Sequence, residues 1–288
     1  MATTAHNLAT LARANKLAAF GALVIVSLLV VAVCAPLVAP YDPYAMQPDA
    51  ALTGPAWSHW LGADAYGRDI LSRILYGARI SLQVGIVSVT IALVAGTLLG
   101  LFAGYFGGKV DAVLSRINDG LLSFPDILLA LGIMAVLGAS LTNVTLAIGI
   151  VYTPIFARIA RAAVLQVRGQ PFVEAARALG FGPCRIMFRH VLPNATAPLV
   201  VQTTLSLAFA ILAEAALSFL GLGVEPDAPS WGVMLNEGKE WMELAWWVPV
   251  FPGLAITLVV FSLNVVGDAL RDALDPAARR ASAATAVA

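Results

Sequence analysis

The chain has 288 residues, 60% of them hydrophobic and only 12% charged, with 17 Lys plus Arg balancing 17 Asp plus Glu. A water-facing surface carries roughly a quarter to a third charged residues, so an ordinary soluble domain is excluded. Zero net charge provides no field to hold nucleic acid, and two cysteines with three histidines form neither a disulfide framework nor a metal-ligand spacing.

In chain order, residues 1–16 read as a tail and residues 17–40 as a first span. A bilayer-crossing helix needs about 20 apolar residues, and this run ends in Ala39-Pro40-Tyr41-Asp42-Pro43 rather than at a small-residue cleavage site. Residues 41–79 form a polar outer segment. The uncharged stretch between Arg79 and Lys109 is the second span, and its Gly85, Gly96, Gly100 and Gly104 include a small-residue face suited to close helix packing. The apolar stretch from Leu121 to Ala157, split at residues 138–143, reads as a tight hairpin of spans three and four. An inner polar segment follows over 159–197 and a fifth span over 198–222, interrupted only by Glu214. An outer loop over 223–243, a sixth span over 244–267 and a tail over 269–288 complete the chain. The expected fold is an all-α polytopic membrane protein with six transmembrane helices, of which residues 80–268 make a five-helix core.

Lysine and arginine orient the set, because short loops rich in them stay cytoplasmic. With both termini inside, only Arg68, Arg73, Arg79 and Lys239 of the basic residues fall outside. All six tryptophans fall in the two outer segments or at the adjoining end of span six, where indole rings favour the headgroup level.

The inner segment contains two helix signals. Pro171 opens one that Gly180 stops, and Gly182-Pro183 opens a second that runs to Pro193, placing proline in first turns and glycine past an end. Val173, Ala175, Ala176 and Leu179 offer a small apolar surface flanked by Glu174 and Arg177. That surface either rests on this chain's own helix ends or the lipid interface, or fills a socket on a partner protein. In the outer segment, Asp64, Arg68 and Asp69 lie close to Arg73 and Arg79. Ion pairing of Arg73 and Arg79 with Asp64 and Asp69, fixing the loop, is one reading; contact with cargo or with a cargo-delivering protein is the other. Trp231 belongs to an outer loop that reads either as a scoop lining the outer mouth or as an ordered loop. Glu214 is the costly residue of the spans, since a carboxylate near mid-bilayer must be paired, protonated or facing water. It lines a pore or a companion subunit, or bonds between helices of this chain. Asp126 and Asn143 lie close enough to span ends to need no functional role.

The run Glu174-Ala175-Ala176-Arg177-Ala178-Leu179-Gly180, followed by Arg189-His190-Val191-Leu192-Pro193-Asn194, resembles the inner loop of permease subunits of bacterial ATP-binding-cassette importers, in the dipeptide, oligopeptide and nickel branch. Three further groups are similar to the same branch, and two of them to its second, C-type permease. They are residues 61–73 with Gly77-Ala78-Arg79-Ile80-Ser81-Leu82; residues 219–223 with Pro229-Ser230-Trp231-Gly232; and Phe251-Pro252-Gly253 with Asn264, Gly267-Asp268 and residues 271–276.

The resemblance implies a type I importer permease fold with cytoplasmic coupling helices, in the bacterial inner membrane. Glu174, Ala175, Ala176, Leu179, Gly180 and Ile186 would couple to an ATPase, while Glu214, Trp231, Asp64, Arg68 and Asp69 are candidates for the outer gate or pore. It also implies a homologous second permease, two ATP-binding subunits, an extracytoplasmic substrate-binding protein and a peptide cargo, with nickel chelates or glutathione as the alternative. The chain contains no glycine-rich loop ending in Gly-Lys-Ser/Thr, so ATP and Mg belong on the partners and no catalytic, cofactor or metal site is expected here. Rival classes fit poorly. A secondary transporter would show inverted repeats and several midplane ionisable groups. An intramembrane enzyme would need a base within the spans, and His6, His59 and His190 all lie outside them. No run resembles a channel's selectivity filter.

Overall fold

The computed structural model describes residues 16–274. The tails before Lys16 and after Leu274, with the Asp275-Pro276 end of the last motif, lie outside the described residues. Helices follow one another as α1 (Lys16–Val38), α2 (Ile70–Phe106), α3 (Gly108–Leu122), α4 (Asp126–Leu137), α5 (Leu141–Arg168), α6 (Pro171–Ala178), α7 (Pro183–Ile186), α8 (Ala197–Phe219), α9 (Trp231–Gly238) and α10 (Trp247–Leu274). Among the described residues, five of these, α1, α2, α5, α8 and α10, are long and apolar enough to cross a membrane, and the bent pair of α3 and α4 makes a sixth candidate.

The α2–α5 pair is the spine. A Cβ at Gly96 would come within 2.5 Å of Thr153 O, and one at Gly100 would run into Ala157 O, so only glycine lets the two backbones meet. This is the small-residue face read from the sequence, and van der Waals packing across it replaces the hydrophobic drive that lipid does not supply. Arg168 Nη1 donates to Gly104 O and Tyr105 O at 3.0 and 2.9 Å, satisfying carbonyls that the end of α2 would leave unpaired. Helix α8 completes a core with α2, α4 and α5 around Met134, Ile148 and Phe156, while α1 and α10 pack together beside it.

Three boundaries differ from expectation. Helix α2 starts at Ile70, well before Arg79, because Asp69 caps it by accepting from Ser72 N at 2.8 Å and because Arg73 is paired inside the fold. The third span does not run straight on from Leu121. Pro125 cannot continue a helix and disfavours helical backbone at Phe124, so α3 and α4 meet at 89° and α4 has only 12 residues. Helix α5 continues past the expected boundary at 159 as far as Arg168.

Candidate functional site

Two assemblies carry the side chains singled out in the sequence, at opposite ends of the bundle. The first is the wedge between α5 and α8. Pro171 occupies the first turn of α6, and the helix closes with Gly180 N donating to Arg177 O at 2.9 Å and Phe181 N to Ala176 O at 3.2 Å. This pair of bonds requires a left-handed residue, which Gly180 provides at φ +76°. Pro183 then opens α7, which passes through a wide turn over Met187–Val191 into a short tight helix at Leu192–Asn194. Arg185 lies over the Phe181 ring at 4.2 Å, and His190 stacks on the same ring with centroids 5.8 Å apart, which stiffens the corner.

The wedge divides the predicted coupling residues into two sets. Glu174, Ala175, Leu179 and Gly180 are exposed, Leu179 to 73%. Ala176 and Ile186 are buried, with Val173, Met187 and Val191, against Leu101 and Val164 of the long helices. Ala176 and Ile186 thus face this chain's own interior and not its surface. Their apolar surface rests on this chain's own helix ends, one of the two readings the sequence left open, in a single cluster that joins α6 and α7 to Met187, Val191 and the long helices α2 and α5.

The second assembly lies at the tryptophan-bearing end. Asp64 Oδ1 accepts from Tyr66 N and Arg68 N, forming the turn that brings Arg68 Nε to Asp64 Oδ2 at 2.6 Å. Arg68 Nη2 and Arg73 Nη2 both donate to Glu237 Oε2 of α9, at 2.7 and 3.2 Å, and Arg73 Nη1 lies 3.9 Å from Asp64 Oδ2. Burial works against the Arg68 guanidinium, but the Glu237 hydrogen bond and the charges of Asp64 and Glu237 outweigh it and raise its pKa. Asp69 turns the other way. Its Oδ1 lies 2.9 Å from His59 Nδ1, while its Oδ2 caps α2. Pairing of Arg73 with Asp64 thus exists, but Glu237 takes the place expected of Asp69, and exposed Arg79 forms no ion pair among the described residues and sits beside the Tyr76 ring. The sequence marks Glu237 only as one acidic residue of the outer loop 223–243, since nothing within its own segment reports a partner more than 160 residues away.

Trp231 and Glu214 tie this end to the spans. Trp231 Nε1 donates to Ile74 O at 3.0 Å, and the indole lies so close to Gly77 that a Cβ there would fall 2.6 Å from Cδ1. Glu214 Oε1 accepts from Ser218 Oγ at 2.8 Å and from Ser230 Oγ, the cap of α9, at 2.7 Å. Of the outer-gate and pore candidates, Glu214 is 0% exposed, Asp69 and Trp231 1%, Arg68 2% and Asp64 4%. Glu214, Asp69 and Trp231 tie elements of this chain together in this conformation. Asp64 and Arg68 also edge a cavity of about 370 Å³ shared with Glu240 and Trp241.

Comparison with known proteins gives this architecture its context. Residues 96–280 match the family model described as binding-protein-dependent transport system inner membrane component, and residues 12–55 match the N-terminal TM domain of oligopeptide transport permease C. The chain is 50% identical over 262 residues to a dipeptide transport system permease protein of Alkalihalophilus pseudofirmus, covering 91% of this chain and 86% of that one. It is 47% identical to a di/tripeptide transport system permease protein of Pseudomonas aeruginosa, over 93% and 90% of the two chains. It is also 44% identical to a glutathione transport system permease protein of Pectobacterium atrosepticum, over 88% and 85%. The fold is similar to that of a chain from inward-facing conformations of the MetNI methionine ABC transporter, with TM-score 0.58 and 21% identity, covering 72% of this chain and 98% of the other. With the fold, the helix set and the family match in agreement, this chain belongs to the family of inner-membrane permease components of binding-protein-dependent ABC transport systems.

Proposed function

We propose that the chain is a transmembrane subunit of an ATP-driven importer that carries di- or oligopeptides across the bacterial cytoplasmic membrane by alternating access. The observation that carries the cargo class is the 50% identity, over nearly the whole chain, to a relative named as a dipeptide permease. Glutathione is the second reading, favoured by the relative that carries that name, and it differs from the first only in which short peptide is moved. In this reading both termini are cytoplasmic and the wedge faces the cytoplasm. The exposed face of Glu174, Ala175, Leu179 and Gly180 docks into one of two ATP-binding subunits, which hold ATP and Mg. A homologous second permease completes the pathway, and an extracytoplasmic binding protein delivers cargo to the opposite end. The packing of the wedge in one apolar cluster with α2 and α5 supports a lever role, since a loop unpacked from the long helices would absorb the force of ATPase closure.

The test is purification of the chain from its own membrane in mild detergent, identification of its companions by mass spectrometry, and assay of ATP hydrolysis with dipeptides, oligopeptides and glutathione. A second permease, ATPases and a binding protein are expected, with hydrolysis stimulated by peptide. A chain recovered alone or as a homomer, with no ATPase, would falsify the importer assignment.

A further inference from the structure

The sequence places Asp126 near a span end, where a carboxylate is inexpensive. The structure places it elsewhere. Because α3 and α4 break at Pro125, Asp126 opens a helix of only 12 residues, which rises about 18 Å to the turn at Gly138. Tyr152 lies a similar distance, about 17 Å, below the same turn on α5, close to the middle of that 28-residue helix. The depth has an independent marker in Asn118, just before the break, whose Nδ2 donates to Pro154 O in the mid-section of α5 at 3.0 Å. With the Gly138 turn at the edge of a hydrocarbon core about 30 Å thick and both helices along its normal, Asp126 and Tyr152 lie near mid-membrane.

Asp126 is exposed on this chain, and no hydrogen bond or ion pair to it occurs among the described residues. A carboxylate facing lipid at that depth costs about 3 kcal/mol or more, so this face meets water or a cation and not acyl chains. Asp126 and Tyr152 line one cavity of about 230 Å³ between α4, α5 and α8, whose remaining wall is apolar, with Ile148, Phe209 and Leu212 among it. The Tyr152 residue is 7% exposed, and its hydroxyl has no hydrogen-bond partner among the described residues, while the charge of Asp126 is near enough to act on it. An apolar chamber with one carboxylate and one free hydroxyl is suited to a small organic cation.

We propose that this mid-membrane cavity is a way station for the cationic amino group of the cargo, with Asp126 as counter-charge and Tyr152 as the orienting hydroxyl. The proposal rests on the peptide-importer reading, since free peptides present an ammonium group at one end. A basic side chain of the companion permease is the other source of the same chemistry.

The experiment uses the complete complex, with companion permease, ATPases and binding protein, in proteoliposomes, and measures ATP-dependent uptake of a radiolabelled dipeptide with uncharged side chains. Asp126→Asn is expected to lower maximal uptake about tenfold, the equivalent of about 1.4 kcal/mol. Tyr152→Phe is expected to lower it less, and Asp126→Glu to restore most of the loss, with the assembled complex recovered in wild-type yield for all three. Wild-type uptake by Asp126→Asn overturns the proposal while leaving the importer reading intact. Dissociation of the Asp126→Asn complex from its companion also overturns it, by assigning the carboxylate to a subunit contact. If the wild-type complex moves no peptide, the importer reading fails and this inference with it.

Discussion

Ser230 Oγ, the cap of α9, donates to Glu214 Oε1 at 2.7 Å, and Ser218 Oγ donates to the same oxygen from one turn further along α8. A short helix outside the spans is thereby bonded to the last turns of a long one, and Ser81 of α2 lies beside the same carboxylate. Movement of α8 must carry α9 with it.

Glu214→Ala should destabilise the detergent-solubilised protein by about 2–5 kcal/mol, because it removes buried volume and strands two buried hydroxyls. Glu214→Gln, which keeps an acceptor and the shape, should lose much less. Thermal melting of the two variants separates the outcomes; equal losses would show that charge, and not hydrogen bonding, holds the node.

At Gly77 even one methyl group would meet Trp231 Cδ1 at 2.6 Å and Pro229 O at 2.7 Å. Gly77→Val should therefore push α9 off α2 at a cost of about 1–3 kcal/mol or more. The expected signature is a red-shifted tryptophan emission and faster proteolysis within residues 223–243. An unchanged spectrum would mean that the helix yields without losing its seat.

Arg68 bridges Asp64 and Glu237 while buried to 2% exposure. Arg68→Ala leaves two carboxylates beside Arg73 alone and should cost about 3–5 kcal/mol. Arg68→Lys can satisfy one carboxylate but not both in the same geometry, so it should fall between. Chemical denaturation, or hydrogen exchange of residues 41–69, would read the order; a lysine variant as stable as wild type would rule out the bridging geometry.

In the wedge, burial and exposure predict opposite phenotypes for neighbours. Ile186→Ala should loosen α6 and α7 by about 2–4 kcal/mol, visible as faster amide exchange in residues 171–194. Leu179→Ala, at an exposed position, should leave exchange as it is and lower peptide-stimulated ATP hydrolysis of the assembled complex. If Leu179→Ala hydrolyses ATP like the wild type, the exposed face is not where the ATPase docks.

Membrane residence, the approximate number of spans and the glycine face of α2 were legible in the sequence, because each follows from local composition and from helical periodicity. The wedge was legible too: Pro171, Gly180 and Pro183 act on the backbone within a turn of themselves, and α6 and α7 lie where those residues place them. What a side chain touches was decided by tertiary structure. Ala176 and Leu179 are three residues apart and both apolar, yet one is sealed against the long helices and the other projects outward. Arg73 reaches the nearby Asp64 only at 3.9 Å and shares its closer partner, Glu237 of α9, with Arg68, since folding brings together charges far apart in the chain. Local direction was decided the same way: hydropathy marks an apolar stretch, but only the 89° break at Pro125 makes Asp126 the first residue of a separate 12-residue helix.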